Sequence, residues 1–186
     1  MTRVVAALIL LFTLASGAVG DYASAKRKIA SIQADRLQPG SLVSLSAGEL
    51  NAYVEQEVRG VVPEGIRNPK VHLGSGTATA SGMIDFVKVG RSKGQEPGWL
   101  LSTLLEGERP VSVNARIRSS NGTAVVDVQR VEVSGVPIEG KMLEYLIDNY
   151  LRTYYPEAKV GEPFELGHRI DRLEVKPAAV GIVIRK

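Results

Sequence analysis

The chain contains no cysteine, which excludes disulfides, thiolate metal sites, iron–sulfur clusters, cysteine nucleophiles and a lipid anchor attached through cysteine. Its two histidines, His72 and His168, are far apart, and no HExxH motif or acidic cluster at ligand spacing accompanies them. Aromatic residues make up 5% of the chain, with a single Trp, so an aromatic floor for a sugar substrate is not expected. We therefore predict no metal and no cofactor.

The chain also lacks a strong bias of charge. It has 23 Lys+Arg against 20 Asp+Glu, a net charge of +3. Nucleic-acid-binding proteins usually cluster basic residues on one face, so nucleic acid is not a predicted partner. Hydrophobic residues at 44% and charged residues at 23% are ordinary for a globular domain, which argues against disorder and against a polytopic membrane protein.

The amino terminus has the pattern of an export signal. Arg3 gives a positive start, and residues 4–14 form an apolar run followed by small residues, which predicts a signal peptide over residues 1–20 with cleavage after Gly20. An uncleaved signal anchor stays open as the alternative, although the apolar stretch is shorter than the roughly 20 residues of a typical membrane helix. Both predict an extracytoplasmic protein, periplasmic or secreted, which in the anchored form associates with the membrane through residues 1–20.

Two helices are predicted at the start of the mature chain. Residues 21–41 should form a helix and linker, because Tyr22 to Gln38 are good helix formers with a thin apolar stripe and Pro39-Gly40 follows. Ser46 and Glu49 have the spacing of a capping box, so a second helix should begin near Ala47. The apolar stripes are Ala25, Ile29, Ile32 and Leu37 in the first helix, and Leu50, Tyr53, Val54, Val58 and Val61 in the second.

The next part of the chain reads as strands. Val71 to Leu73 predicts a short strand after a break at Asn68-Pro69, and Thr77 to Val89 a longer extended segment. In the longer segment, small residues at alternate positions suggest that a helix approaches the sheet near Gly82.

Later strands have clearer signals. Arg109 to Ser119 alternates apolar and polar residues, and Asn121-Gly122 is a strong hairpin signal before a partner strand over residues 123–134. The apolar phase of that partner slips at Gln129-Arg130, which predicts a β-bulge and a curved sheet. A last strand pair is predicted over Ile170 to Lys176 and Val180 to Arg185. Residues 42–186 are thus predicted to be one α+β domain, a curved antiparallel sheet packed against two or three helices.

Two apolar segments carry the candidate site. Trp99 to Glu106 is short and apolar on most of its circumference, and Glu139 to Tyr155 predicts a helix with apolar residues at helical spacing. Core packing is one interpretation. The functional alternative is an apolar groove between these helices and the concave face of the sheet, with tyrosine hydroxyls and Arg152 at its mouth. The candidate ligand-binding residues are Trp99, Leu101, Leu104, Met142, Leu146, Tyr150 and Tyr154.

Signals for catalysis are missing. The chain has no GxSxG elbow and no SxxK motif, and Gly74-Ser75-Gly76 precedes an extended segment where a phosphate loop would precede a helix. Asp85 and Asp127 are the one pair of carboxylates considered for hydrolysis. The simpler interpretation is that both are strand residues that face solvent. Asn121-Gly122-Thr123 matches the glycosylation pattern, but the hairpin explains it. We predict no catalytic residues and no enzyme activity.

Several segments together resemble a group of small exported bacterial proteins. These segments are the helix start Leu45–Asn51, the strand Gly76–Gly82, the hairpin at Asn121-Gly122 and the stretch Val133–Ile138, after which Glu139 stands where the pattern has proline. The chain resembles the YpmS-like proteins and, more loosely, the TULIP-like lipid-binding group over most of residues 42–186. The resemblance implies a curved antiparallel sheet wrapped around a long helix, and the binding of lipid.

These observations leave three hypotheses. The first is an exported, non-catalytic protein that binds or shuttles a lipid or another apolar molecule of the cell envelope. The second is a structural or adaptor protein of the envelope that docks a protein partner through a sheet edge or a helix face. The third, an envelope hydrolase built on Asp85 or Asp127, ranks last.

Overall fold

The computed structural model describes residues 19–61, 65–91, 106–152 and 160–186. Its first segment is helical over residues 19–33, called α1. There follow β1 Leu42–Ser46, α2 Ala47–Val61, β2 Ile66–Leu73, β3 Thr77–Asp85, α3 Phe86–Arg91, β4 Glu108–Ser120, β5 Thr123–Val133, β6 Val136–Pro137, α4 Gly140–Leu146 with a π-helical turn over Ile147–Leu151, β7 Phe164–Glu165, β8 Ile170–Lys176 and β9 Ala179–Ile184. The predicted α+β class is confirmed.

The strands divide into two sheets. A six-stranded sheet has the order β2-β3-β4-β5-β6 with β7 also paired to β5, and a three-stranded sheet has the order β1-β9-β8. The outer edge of β8 is bonded to the larger sheet: the Ser119 hydroxyl accepts from the Leu173 N–H at 2.8 Å and donates to the Leu173 carbonyl at 3.1 Å. The N–H of Gly122 donates to the carbonyl of Asp171 at 2.7 Å. These bonds fix the small sheet against the end of the β4–β5 hairpin.

The predicted hairpin and bulge are confirmed. Asn121 and Gly122 have φ angles of 52° and 80°, the left-handed pair that a two-residue turn of type I′ requires. Asn114 pairs with Arg130 while Ala115 pairs with Val128, so Gln129 is the extra residue of the bulge. An extra residue bends a strand and increases its twist.

Three expectations about β2, β3 and α3 were wrong. β2 begins at Ile66 and continues through Asn68-Pro69, where a break was predicted. The pairing of β2 with β3 shifts its register between Arg67 and Lys70, so Asn68-Pro69 form an irregularity within the strand. The close approach at Gly82 comes from β2 and not from a helix, because a Cβ there would lie 3.3 Å from the Arg67 carbonyl oxygen. The extended segment ends at Asp85, whose Oδ1 accepts from the Lys88 N–H at 3.0 Å and so caps α3.

The helix α1 packs on the three-stranded sheet. Ala25 is 0% exposed, and Ile32 lies with it in one buried cluster that also holds Leu45, Ile182 and Ile184. Ile29 packs against this cluster from the helix, so the predicted stripe is confirmed for Ala25, Ile29 and Ile32. The predicted end of the helix near Gln38 was wrong, because α1 ends at residue 33, and Leu37 packs against the cluster from the segment that follows the helix. The capping box is also confirmed, since Glu49 N–H donates to Ser46 Oγ at 3.1 Å and Ser46 N–H donates to Glu49 Oε2 at 2.9 Å.

The helix α2 closes the outer edge of β2 through one side chain. Asn51 Oδ1 accepts from the Val71 N–H at 2.7 Å, and Asn51 Nδ2 donates to the Val71 carbonyl at 2.9 Å. The amide therefore pairs with the strand as another strand would, and it covers backbone groups that an open edge would expose.

An Asn51→Asp substitution tests this closure. The carboxylate can still accept from Val71 N–H, but it cannot donate to the Val71 carbonyl, so we expect the free energy of unfolding to fall by about 1–3 kcal/mol. Urea unfolding followed by circular dichroism measures the change. Gln56→Glu makes the same amide-to-acid change at an exposed position of α2 and should leave stability almost unchanged. Equal losses in the two variants would show that the edge contact contributes little.

Parts of the sequence-based prediction lie outside the described residues. These parts are residues 1–18 of the export signal, residues 99–105 of the apolar segment that starts at Trp99, and residues 153–155 at the end of the predicted helix. Within the described part, that helix begins at Gly140 and changes to a π-helical turn at Ile147. None of the helices in the described ranges combines the length and apolarity that a membrane crossing needs.

Candidate functional site

The two faces of the six-stranded sheet differ in character. One face carries polar rows that run across β2 to β5, and its side chains bond to one another. Asn114 Nδ2 donates to Thr79 Oγ1 at 2.8 Å, and Arg130 Nε donates to Glu132 Oε1 at 2.8 Å. Two of these rows are His72, Thr79, Asn114 and Arg130, and Lys70, Ser81, Ser112 and Glu132.

A shallow cavity of about 410 Å³ lies on the polar face. It is formed where the β2 irregularity meets the turn after β5, and its lining mixes Lys70 and Glu132 with Met83 and Pro110. The hydroxyl of Ser112, also in the lining, donates to Glu132 Oε2 at 3.3 Å. The two charged residues of the lining, Lys70 and Glu132, have opposite signs, and Glu132 is already bonded. This lining therefore favours no particular class of ligand.

The opposite face of the sheet is apolar. Register places Val71, Ala80, Val113 and Val131 in one row and Leu73, Ala78, Ala115 and Val128 in the next. Because side chains alternate along a strand, these residues share one face.

Both ends of the apolar face are covered. At the hairpin end the small sheet contacts Ser119, and Ala124 beside it is 1% exposed. At the other end Phe86 and Val133 form a buried cluster, with Ile84, Val111, Ile138 and Leu146 packed around it. The second cluster places α3 and α4 over that end of the face.

The middle of the apolar face is open on the β3 side, at Ala80. Ala80 is exposed although it lies on an inner strand, and its neighbours Val71 and Val113 are only half-buried. We call this surface the apolar groove and define it by Val71, Leu73, Ala78, Ala80, Val113 and Val128, of which the five other than Ala80 are half-buried. Ala115 and Val131, which lie in the same two rows, are buried.

A cavity of about 240 Å³ lies between the β5 bulge and the start of α4. It includes Val128 of the groove and extends along the β5 bulge to the start of the helix, where Ile138 and Leu143 line it. α4 has no buried residue, and among the described residues no large side chain is fully buried. The start of α4 is therefore not closely packed on the sheet, and Gln129, Arg130 and Glu139 also line the gap.

The predicted site residues are placed as follows. Leu146 packs against the Phe86 cluster, and Met142 is half-buried on the same helix. Trp99, Leu101, Leu104 and Tyr154 lie outside the described residues, as does the side chain of Tyr150. Arg152, expected at the groove mouth, is exposed and donates to Asp148 Oδ1 at 2.8 Å.

One residue of this face escaped the sequence analysis. Arg109 pairs with Ile84 and stands in phase with Val111 and Val113, so its side chain belongs to the apolar face of β4. Its Nε atom is buried and has no hydrogen-bond partner. The alternation of apolar residues along β4 could have predicted this position of Arg109, because Arg109 lies two residues before Val111 and therefore on the same face.

The carboxylate pair considered for hydrolysis is not assembled. Asp127 pairs with Arg118 at 2.7 Å, and Asp85, expected to face solvent, is buried at 8% exposure because it caps α3. Their partners on β4 are Arg116 and Glu108, which are about 27 Å apart at about 3.4 Å per residue. Such a separation prevents the two carboxylates from acting on one bond.

The histidines do not form a site with other ligands. His72 is exposed on β2, and His168 lies in a turn with a φ of 43°. Within the described ranges, no group of three or more His, Asp or Glu side chains is placed to hold a metal ion.

No protein-family model matches the chain, and no curated protein matches it. The resemblance to the YpmS-like and TULIP-like proteins stays a prediction from sequence motifs.

Proposed function

We propose that this chain is an exported, non-catalytic protein that binds or shuttles a lipid or another apolar molecule of the cell envelope in the apolar groove. The observation that carries the proposal is the exposure of Ala80 in the middle of an apolar face. Export and an extracytoplasmic location belong to the proposal and rest on the apolar amino terminus.

The driving force for binding would be the removal of apolar surface from water. Burial of such surface contributes about 25 cal/mol per Å², so a ligand that covers Ala80 and the adjacent valines gains affinity from contact alone. Val128 of the groove also lines the cavity beside α4. Ligand sites of this kind are mostly apolar with few polar groups.

Native mass spectrometry of the purified full chain tests the proposal. The expected result is a mass excess that extraction with organic solvent removes, followed by uptake of a neutral naphthylamine dye by the extracted protein. A protein that has the mass of the chain alone, both before and after extraction, and takes up no dye would contradict lipid binding. Specific crosslinking to an envelope protein in that case would favour the adaptor alternative.

A further inference from the structure

The tip of the β4–β5 hairpin, Asn121-Gly122, carries two groups that can react with each other. The backbone nitrogen of a glycine that follows asparagine is unhindered, because glycine has no side chain. This nitrogen can attack the side-chain amide carbon of the asparagine and close a five-membered imide. Asn121 is exposed, and within the described ranges its side-chain amide has no hydrogen-bond partner.

The backbone nitrogen of Gly122 is held by the three-stranded sheet. Its N–H donates to the carbonyl of Asp171 on β8 at 2.7 Å, and the N–H of Leu166 donates to the carbonyl of Gly122 at 2.9 Å. Gly122 is buried, and a Cβ at this position would run into the guanidinium of Arg185. The reacting nitrogen is therefore bonded and covered while the hairpin tip is docked on β8.

The conformation of the turn also opposes the reaction. Asn121 and Gly122 have the left-handed φ angles of a type I′ turn. In that turn the ψ angle of the first central residue is about +30°, which points the next nitrogen away from the side-chain carbon that it must reach. The ring can close only after the tip has left this conformation.

We propose that Asn121 is a site of deamidation whose rate is set by the detachment of β8 from the hairpin tip. The Gly122 nitrogen forms a bond to the side-chain carbon of Asn121, the amide C–N bond breaks, and ammonia leaves with the proton of the attacking nitrogen. Water then opens the imide to aspartate or isoaspartate. The site does not involve the apolar groove, so the inference goes beyond the proposed function.

The bonds that hold β8 to the larger sheet are local. Besides the bond of Gly122, the Ser119 hydroxyl is bonded to both backbone groups of Leu173, and the Gly76 N–H donates to the Val175 carbonyl at 3.0 Å. Contacts of this kind can open at a lower free-energy cost than the unfolding of the whole protein. Detachment of β8 thus exposes the Gly122 nitrogen while the rest of the fold stays intact.

Mass spectrometry of the full chain, incubated at mildly alkaline pH, measures the reaction in the peptide that contains Asn121. We expect the folded protein to react at least about tenfold more slowly than the same chain unfolded in urea. Ser119→Ala removes the two bonds to Leu173, so deamidation of the folded variant should be about five- to tenfold faster than that of the wild-type protein. Hydrogen exchange at the Gly122 N–H reports the same opening and should accelerate by the same factor.

Asn51→Asp is the control for a general loss of stability. It breaks the contact of α2 with the edge of β2 and leaves the hairpin tip in place, so deamidation should stay within about twofold of the wild-type rate. Equal rates in the folded and unfolded chains would overturn the proposal, because the tip would then give no protection. An unchanged rate in Ser119→Ala, or equal acceleration in Ser119→Ala and Asn51→Asp, would overturn the part played by the detachment of β8.

Discussion

An Ala80→Trp substitution is expected to abolish uptake of a neutral apolar probe. Ala80 is the exposed residue in the middle of the apolar groove, so an indole there would occupy the space that the ligand needs. We expect affinity to fall by more than about tenfold, equal to about 1.4 kcal/mol. Because the position is exposed, the larger side chain has room, and the free energy of unfolding should change by less than about 1 kcal/mol.

Ser81→Trp is the matched control for this prediction. Ser81 is the next residue of β3 and faces the polar side, where it stands between Lys70 and Ser112. The same indole on that side should leave dye uptake within about twofold of the wild-type value. Dye titrations of both variants measure whether only the substitution in the groove blocks uptake, and urea unfolding compares their stability. Normal uptake by Ala80→Trp would place the ligand elsewhere.

Acid is expected to destabilise the protein through Glu49, which joins α1, β1 and α2. Lys28 Nζ donates to Glu49 Oε1 at 2.7 Å and Oε2 at 2.8 Å, and to the Ser44 carbonyl at 2.8 Å. Burial raises the pKa of Glu49, but the hydrogen bonds from Lys28, Ser24 and the Ser46 N–H outweigh it and lower the pKa from 4.5 to about 2. The ionised form is therefore the one that the fold stabilises.

The sign of the pH dependence follows from this lowered pKa. A carboxyl whose pKa is lower in the folded state contributes its full stability above its unfolded value, here 4.5, and loses it as the pH falls toward 2. At about 1.4 kcal/mol per pH unit the contribution is about 3 kcal/mol. Urea unfolding between pH 7 and pH 2.5 should show this loss.

Glu49→Gln isolates the contribution of this carboxyl. The variant should be less stable than the wild-type protein at pH 7 and should approach it as the pH falls, because the amide does not titrate. Glu55→Gln, at an exposed position of the same helix, keeps the other titrating groups and should follow the wild-type curve closely. Parallel curves for Glu49→Gln and wild type would contradict the role given to Glu49.

Local features could be predicted because their interactions join residues that are close in the chain. The Ser46–Glu49 capping box and the Asn121-Gly122 turn each involve residues at most three positions apart, and both form as expected. The bulge at Gln129 was visible as a slip in the alternation of a single strand. Short-range geometry constrains these features whatever surrounds them.

The candidate site was predicted only in outline. The expectation of an apolar helix beside a curved sheet led to Leu146 and Met142, but the open middle of the face at Ala80 depends on how far α2, α4 and the small sheet reach over it. Similarly, whether Asp85 meets solvent depends on the turn of the chain into α3. Such contacts join distant residues, and a single sequence carries no direct signal for them.

Hydrophobic periodicity and turn chemistry act within each segment, so they were enough to predict the α+β class, most helix and strand positions, and the apolar face of the sheet. The division of the strands into two sheets and the closure of the β2 edge by Asn51 depend on long-range packing and could not be predicted. Packing also leaves the Nε atom of Arg109 buried without a hydrogen-bond partner, since such a bond forms only where the fold brings a donor and an acceptor together.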